Sequence, residues 1–263
     1  MDLNLLLKEV SGIAKETGQY IHQRRRELRE SDIHEKGIHD YVTMVDKESE
    51  IRLVKELLRL LPGSGFITEE KTTKQEQKEY TWIIDPLDGT TNFMHNTPPY
   101  AVSIALHQGR RTILGVIYEI TLDEMFVATM QDPAQKNGEE IRVTHTPTLD
   151  GALIATGFPF INFDRLEPYM QVLKTYMANT QGVRRLGSAA TDLAYVACGR
   201  YDGFYEYNLN PWDVAAGAFI VERAGGKVSD FSGKDNYIFG KEIVATNGSL
   251  HEDFMIPIKQ FLV

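Results

Sequence analysis

The chain has 263 residues, enough to bury a substantial core as one large unit or two intimate halves. With 37 acidic against 28 basic residues the net charge is −9, which gives no general attraction for nucleic acid and carries the sign that a carboxylate-built metal site would add. One cysteine, Cys198, excludes an intramolecular disulfide framework, no apolar run is long enough to span a bilayer, and an N-terminus with acidic Asp2 and no basic region does not read as a secretion signal, so the expected location is the cytoplasm.

Leu3, Leu6, Leu7, Val10, Ala14, Thr17 and Ile21 recur at helical spacing and predict a long amphipathic first helix, with Arg24, Arg25 and Arg26 at its tail. His34 to Asp46 is polar and contains a glycine, and reads as a hairpin or loop. Asp46 is then a candidate N-cap for a second helix with Ile51, Val54, Leu57, Leu58 and Leu61 on one face, stopped by Pro62-Gly63. Phe66–Thr68 is a short strand leading into Glu69-Glu70. Strands are expected at 101–107, 112–118 and 125–129, and Asn137-Gly138 is a hairpin turn signal.

The second half changes rhythm. Strands are expected at 152–156, 183–186, 203–207 and 243–245. They alternate with helices at 166–178, 189–198, 214–224 and 252–261, the last containing Pro257. The fold class is α+β, a layered αβαβα sandwich. Approximate halves are 1–146, with two helices and an antiparallel sheet, and 147–263, with an α/β layer. No Pro-, Gly- or Ser-rich linker separates them, so one compact unit is expected.

The chemistry concentrates in Trp82-Ile83-Ile84-Asp85-Pro86-Leu87-Asp88-Gly89-Thr90-Thr91-Asn92-Phe93. Three apolar residues suit a buried strand, which should stop at Asp85 because the residue before a proline is restricted. Asp85 and Asp88 then lie three residues apart on a tight turn. Gly89 allows close approach of a ligand, and Thr90, Thr91 and Asn92 suit a first helical turn. Asp-Pro and Asp-Gly are common turn formers, and either carboxylate alone reads as structural. The whole string is more than a turn requires. Two hard anionic ligands beside backbone N–H groups suit a divalent cation with a phosphate. Two further acidic spots follow an apolar stretch or open a helix: Glu69-Glu70, and Asp213 in Trp212-Asp213-Val214-Ala215-Ala216-Gly217. Asp213 alone also reads as a helix N-cap.

Taken as a set and in this order, Glu69-Glu70, the Asp85–Phe93 string and Trp212–Gly217 resemble the signatures of the inositol monophosphatase family of magnesium-dependent, lithium-sensitive phosphatases. The resemblance runs from about Lys36 to Gly226. It implies that Glu69, Asp85 and the Leu87 carbonyl hold one Mg²⁺ and that Asp85, Asp88 and Asp213 hold a second, with two or three ions per active site. It also implies that Thr90, paired with Asp46, helps Glu69 to orient and activate the attacking water. Gly89 and Thr90 would offer backbone N–H groups to the phosphate, Gly187-Ser188-Ala189 would form a substrate-side backbone segment, and Asp88 and Asp213 would also contact substrate. Glu206 would contact substrate hydroxyls, and Lys36 would lie on a mobile loop. The family also implies a homodimer. Thr68 departs from the glycine that usually precedes the Glu-Glu pair, and His95–Pro99 follows the motif with its own sequence.

The residues make chemical sense without the resemblance. Phosphate-ester hydrolysis needs charge neutralisation, a nucleophile at neutral pH and relief of charge on the leaving oxygen, and two divalent ions can supply all three. Mg²⁺ prefers oxygen ligands, which suits carboxylates without His or Cys. Gly63-Ser64-Gly65 lacks the ending of a nucleotide P-loop, and the pattern around Ser188 is not that of a serine nucleophile elbow. The expected activity is a phosphomonoesterase acting on a small polyol or sugar phosphate, inositol monophosphate first. Fructose 1,6-bisphosphate, NADP(H), histidinol phosphate and 3′-phosphoadenosine phosphates are the alternatives within the family. A non-catalytic role, regulatory or ligand-binding, is the alternative outside catalysis, since the family includes members with RNA-polymerase-linked functions.

Overall fold

Asp2 caps the first helix, α1 (Leu3–Arg25), by accepting the N–H groups of Asn4 and Leu5 at 3.0 and 3.1 Å. The face buried on α1 is the predicted one: Leu3, Leu6, Val10, Ala14, Thr17 and Ile21, with Gly18 among them. The computed structural model describes residues 1–27, 33–37, 40–159 and 163–263, the side chains of 33–37 and 40–42 excepted. The polar stretch after α1 is a hairpin of β1 (Ile33–Gly37) and β2 (Asp40–Thr43). The Lys36 side chain lies outside the described residues.

Helix α2 (Met44–Leu60) corrects two expectations. Its N-cap is Thr43, not Asp46; Asp46 occupies the third helical position and completes a capping box by accepting the Thr43 N–H at 2.9 Å. Its buried face is Val45, Asp46, Ser49, Glu50, Leu53 and Leu57, while Ile51 and Leu58 are 54% and 43% exposed. The apolar stripe alone misjudges the rotation of the helix, because Asp46 and Glu50 find hydrogen-bond donors inside and turn inward with Leu53 and Leu57.

The larger sheet contains β3 (Gly65–Thr68), β4 (Tyr80–Asp88), β5 (Ala101–Gln108), β6 (Arg111–Glu119), β7 (Glu124–Thr129), β8 (Gln135–Lys136) and β9 (Glu139–Glu140), paired in that order. It is antiparallel except that β3 runs parallel to β4. Asn137 and Gly138 turn the β8–β9 hairpin with φ of 51° and 85°. β4 does not stop at Asp85. Asp85 pairs with Ser103 and Asp88 with Ala101, so β4 carries one extra residue as a bulge around Pro86, which has no N–H for the ladder. A five-residue helix, α3 (Thr90–Met94), follows.

The smaller sheet has the order β11-β10-β12-β14-β13, built from β10 (Leu153–Thr156), β11 (Gly182–Arg184), β12 (Gly203–Tyr207), β13 (Lys227–Ser229) and β14 (Glu242–Thr246). β11, β10 and β12 are parallel, and β14 runs antiparallel to both β12 and β13. The helices of this half are α4 (Leu166–Asn179), α5 (Ala189–Ala197), α6 (Pro211–Arg223) and α7 (His251–Leu262).

The layers follow from which faces are apolar. α1 and α2 cover the larger sheet through a core that includes Leu53, Leu57, Trp82, Ile84 and Leu87. α5 and α6 lie between the two sheets, in a core with Ile83, Leu193, Phe204 and Ile220. All nine residues of α5 are buried, as are Val214 to Val221 of α6, and a helix apolar on every side belongs in such an inner layer. α4 and α7 close the far face of the smaller sheet around Tyr176, Tyr205 and Phe254. The result is the expected α+β sandwich of αβαβα layers. Cys198 ends α5, half-buried, and burial pushes its thiol pKa up, which suits packing rather than reactivity.

Candidate active site

The end of β4, the turn after β3 and the N-terminal ends of α3, α5 and α6 open onto one cleft of about 830 Å³. Glu69, Asp85, Leu87, Asp88, Gly89, Thr90, Gly187, Ser188, Ala189, Glu206 and Asp213 all line it, although they come from segments up to 144 positions apart (Glu69 to Asp213). Asp46 is wholly buried behind them and reaches Thr90.

The bulge in β4 lies at Pro86-Leu87, between the paired positions Asp85 and Asp88, and both aspartates line the cleft. Asp85 Oδ1 accepts the Leu87 N–H at 2.9 Å and so fixes the turn. The Thr90 hydroxyl lies within reach of two acceptors, Asp46 Oδ1 at 3.0 Å and the Leu87 carbonyl at 3.1 Å. That carbonyl has a second lone pair for another partner. Asp88 reaches across the sequence: its Oδ2 accepts the Ser188 hydroxyl at 2.6 Å and the Ala190 N–H at 2.8 Å at the start of α5. The segment expected to face substrate therefore also holds Asp88. Ser188 is the N-cap of α5, consistent with a helix opening there. Gly89 has φ of 90°, and a Cβ on it would meet the Pro99 carbonyl at 3.1 Å and the Gly187 carbonyl at 3.3 Å, so both conformation and space require glycine.

Asp213 is not the N-cap of α6. Asn210 is, and Asp213 at the third position accepts the Asn210 N–H at 2.6 Å through Oδ2. Its other carboxylate oxygen is left to other partners while the carboxylate still secures the helix start. Glu206 projects from β12, and Gly157 makes room for it, since a Cβ on Gly157 would fall within 1.9 Å of the carboxylate.

The electrostatics of this cluster are unfavourable as it stands. Burial, followed by the charges of Glu69, Asp88 and Asp213, raises the Asp85 pKa well above the usual carboxylate range. Burial raises Asp88 to about 6 against the pull of the Ser188 and Ala190 hydrogen bonds. Asp213 rises to about 7 through burial and Asp88. Glu206 rises to about 8 through burial and the charges of Asp213 and Asp88, with Arg185 opposing. Such a cluster is relieved either by protons or by cations. Among the described residues no three His, Cys, Asp or Glu side chains are placed, as they stand, to hold a metal ion together. The fit to a metal lies in the donor set: Glu69, Asp85, Asp88 and Asp213 with the Leu87 carbonyl are all oxygen, and an open set suits Mg²⁺, which keeps several waters.

Several residues of the cleft escape a reading of the sequence. Behind the cleft, Asn92 fits a first-turn residue, but its side-chain N–H groups bridge the Pro99 and Leu186 carbonyls at 2.8 Å each and so join α3 to the segment before α5. Arg185, Lys47, Gly157, Asn208 and Trp212 also line the cleft. Of these, only Trp212, which belongs to the Trp212–Gly217 motif, carries a local signal.

A model of the inositol monophosphatase family matches residues 2–261 of the chain. The chain is 39% identical over 265 residues to the Nus factor SuhB of Pseudomonas aeruginosa, covering 99% of this chain and 96% of that protein. It is 37% identical over 261 residues to the inositol-1-monophosphatase of Mesorhizobium japonicum, covering 99% and 98%. The crystal structure of the extragenic suppressor protein SuhB from Bartonella henselae superimposes with a TM-score of 0.92 at 36% identity, covering 97% of this chain and 99% of that one. The chain belongs to the inositol monophosphatase family. Membership covers both halves, so the site carboxylates and the inner helices α5 and α6 that bring them together fall within the family's own fold. Among the described residues no helix is long and apolar enough to cross a membrane.

Proposed function

We propose that this inositol monophosphatase family member is a Mg²⁺-dependent phosphomonoesterase for a small polyol or sugar phosphate, inositol monophosphate first, working in the cytoplasm as a homodimer. The observation that carries the reading is the cluster of buried, mutually repelling carboxylates at one cleft, built wholly of oxygen donors. Glu69, Asp85, Asp88, Asp213 and the Leu87 carbonyl are the residues that would hold two or three Mg²⁺. When bound, these ions supply charge neutralisation for the phosphoryl group, a lowered pKa for water and relief of charge on the leaving oxygen.

The residues of the chain do the rest. Asp46 holds the Thr90 hydroxyl, and that pair, with Glu69, orients the attacking water and takes up its proton. Gly89 and Thr90 present backbone N–H groups to the phosphate, and Gly187 to Ala189 form the opposite wall. Glu206, deep in the cleft, hydrogen-bonds substrate hydroxyls and confers a preference for polyols.

The experiment is phosphate release from a panel of inositol monophosphate, fructose 1,6-bisphosphate, NADP, histidinol phosphate and 3′-phosphoadenosine phosphates, with Mg²⁺ and with EDTA. The expected result is turnover that needs Mg²⁺, is fastest on inositol monophosphate and falls in millimolar Li⁺. Turnover by the metal-stripped protein contradicts the reading.

A second reading is favoured by the name of a relative, Nus factor. It is a regulatory role in the transcription machinery, alongside catalysis or without it. Capture of purified RNA polymerase by both the wild type and a hydrolysis-dead Asp88→Asn variant would support it, and no capture by either would remove it.

A further inference from the structure

Glu50 lies one helical turn beyond Asp46 on α2 and is wholly buried. Its carboxylate accepts four hydrogen bonds, all from one short segment. Oε1 takes the Thr68 hydroxyl at 2.9 Å and the Thr72 N–H and hydroxyl at 2.7 Å each. Oε2 takes the Glu70 N–H at 2.6 Å. These donors flank Glu69 on both sides, and the Glu69 N–H itself bonds to the Ile84 carbonyl of β4 at 3.3 Å.

Between the two amides that Glu50 holds sits Lys71, a non-glycine residue with φ of 53°. A left-handed residue between two N–H groups turns both toward one point, the geometry of an anion-binding concavity. Lys71 resists that conformation, and the Glu50 carboxylate sustains it. Thr68 completes the clasp. Its hydroxyl serves Glu50 and accepts from Gln75 Nε2 at 2.9 Å, while Gln75 Oε1 takes the Thr68 N–H at 2.7 Å.

We propose that Glu50 is a positioning residue, whose carboxylate clasps the turn of residues 68–72 and so fixes the direction in which Glu69 enters the cleft. The role of Glu69 in this proposal rests on the phosphatase reading; the clasp does not. Glu50 touches neither substrate nor reacting atoms. Its loss should loosen Glu69 and hence metal binding and turnover, while leaving the substrate-side wall intact.

The test uses Glu50→Gln, which opposes an amide NH₂ to donors, and Thr72→Val, which removes one hydroxyl while keeping the shape and serves if Glu50→Gln does not fold. Leu57→Ala, in the core on the same helix, controls for general destabilisation. Hydrogen exchange of the Glu70 and Thr72 amides in metal-free protein, Mn²⁺ affinity by calorimetry, and kcat and KM at saturating Mg²⁺ are measured. Glu50→Gln should speed exchange at those amides by about 10-fold or more, weaken Mn²⁺ binding by about 10-fold, and lower kcat with little change in KM, on the scale of one charge-assisted hydrogen bond. Thr72→Val should move the same readings by about 3-fold. Wild-type exchange and Mn²⁺ affinity in the folded variants, or an equal loss of Mn²⁺ affinity in Leu57→Ala, would overturn the proposal. Should the wild type hydrolyse no phosphomonoester, the phosphatase reading fails, while exchange and Mn²⁺ binding still decide for or against the clasp.

Discussion

Two sets of buried carboxylates lie in and behind the walls of the cleft, and their surroundings differ. On the α2 side, Asp46 and Glu50 are enclosed by neutral donors: Thr43 and Thr90 for the first, Thr68, Glu70 and Thr72 for the second. On the side of α5, α6 and β12, Asp213 and Glu206 are raised first by burial and then by neighbouring carboxylates, Asp88 for Asp213 and Asp213 with Asp88 for Glu206, and Asp192 Oδ1 has no hydrogen-bond partner among the described residues. A buried carboxylate with its full set of donors holds structure in place. One held among like charges is a demand for a proton or a cation. Asp85 and Asp88 join the two sides, each partly bound by backbone or hydroxyl donors and each with a raised pKa.

The largest effect should come from the residue most burdened by its neighbours. Asp85→Asn removes a charged ligand at the centre of the cluster, and kcat/KM should fall by about 10³-fold, the scale of several kcal/mol of lost metal-borne stabilisation. Steady-state kinetics at saturating Mg²⁺ check this, and near-wild-type activity would place the metal elsewhere.

Thr90→Ala comes next. It removes a hydroxyl that Asp46 holds and leaves every carboxylate in place. We expect kcat to fall by about 10²-fold or more with Mg²⁺ dependence almost unchanged. A shift in the Mg²⁺ midpoint as large as the loss in kcat would make Thr90 part of the metal site instead.

Asp213→Asn should raise the Mg²⁺ concentration needed for half-maximal activity without unfolding α6. Asn210 provides the cap, and an asparagine side-chain oxygen can still accept the Asn210 N–H. Melting temperature of the metal-free variant should match or exceed that of the wild type, because one buried repulsion is gone. A marked fall would assign Asp213 to the helix alone.

The smallest effect is on stability against pH. The Glu206 pKa is raised from 4.5 unfolded to about 8 folded, so the folded state binds the extra proton across that window. Its contribution is fully present below about pH 4.5 and is lost as pH rises through about 8. Metal-free protein should therefore melt lower as pH rises across this range, and Glu206→Gln should flatten the slope. An identical slope in the variant would show that Glu206 does not titrate there.

Much of the fold was legible because the apolar pattern and the layers agree. Residues 203–207 form a strand with the expected bounds, and the wholly apolar run from Val214 marks a helix that ends up between two sheets. α7 continues through Pro257, where packing of Phe254, Met255, Ile258 and Leu262 outweighs the missing N–H. The short edge strand β13 carries too few residues to announce itself. At the site, the carboxylates announced themselves as motifs, whereas their supports did not. Glu50 and Ser49 look like a solvated face until the inward donors of the 68–72 turn are known, and the same omission misjudged the rotation of α2. The cap positions of α2 and α6 were each placed three residues late, because an aspartate at the third helical position has the same sequence appearance as one at the cap.

On this account the buried, mutually repelling carboxylates of the cleft take up divalent cations. Calorimetric titration of Mg²⁺ into the metal-stripped wild type and Asp85→Asn tests it most directly. The account predicts saturable binding by the wild type that is lost or severely weakened in the variant, with both proteins folded. A folded wild type that takes up no Mg²⁺, or a variant that binds it equally well, would contradict the account.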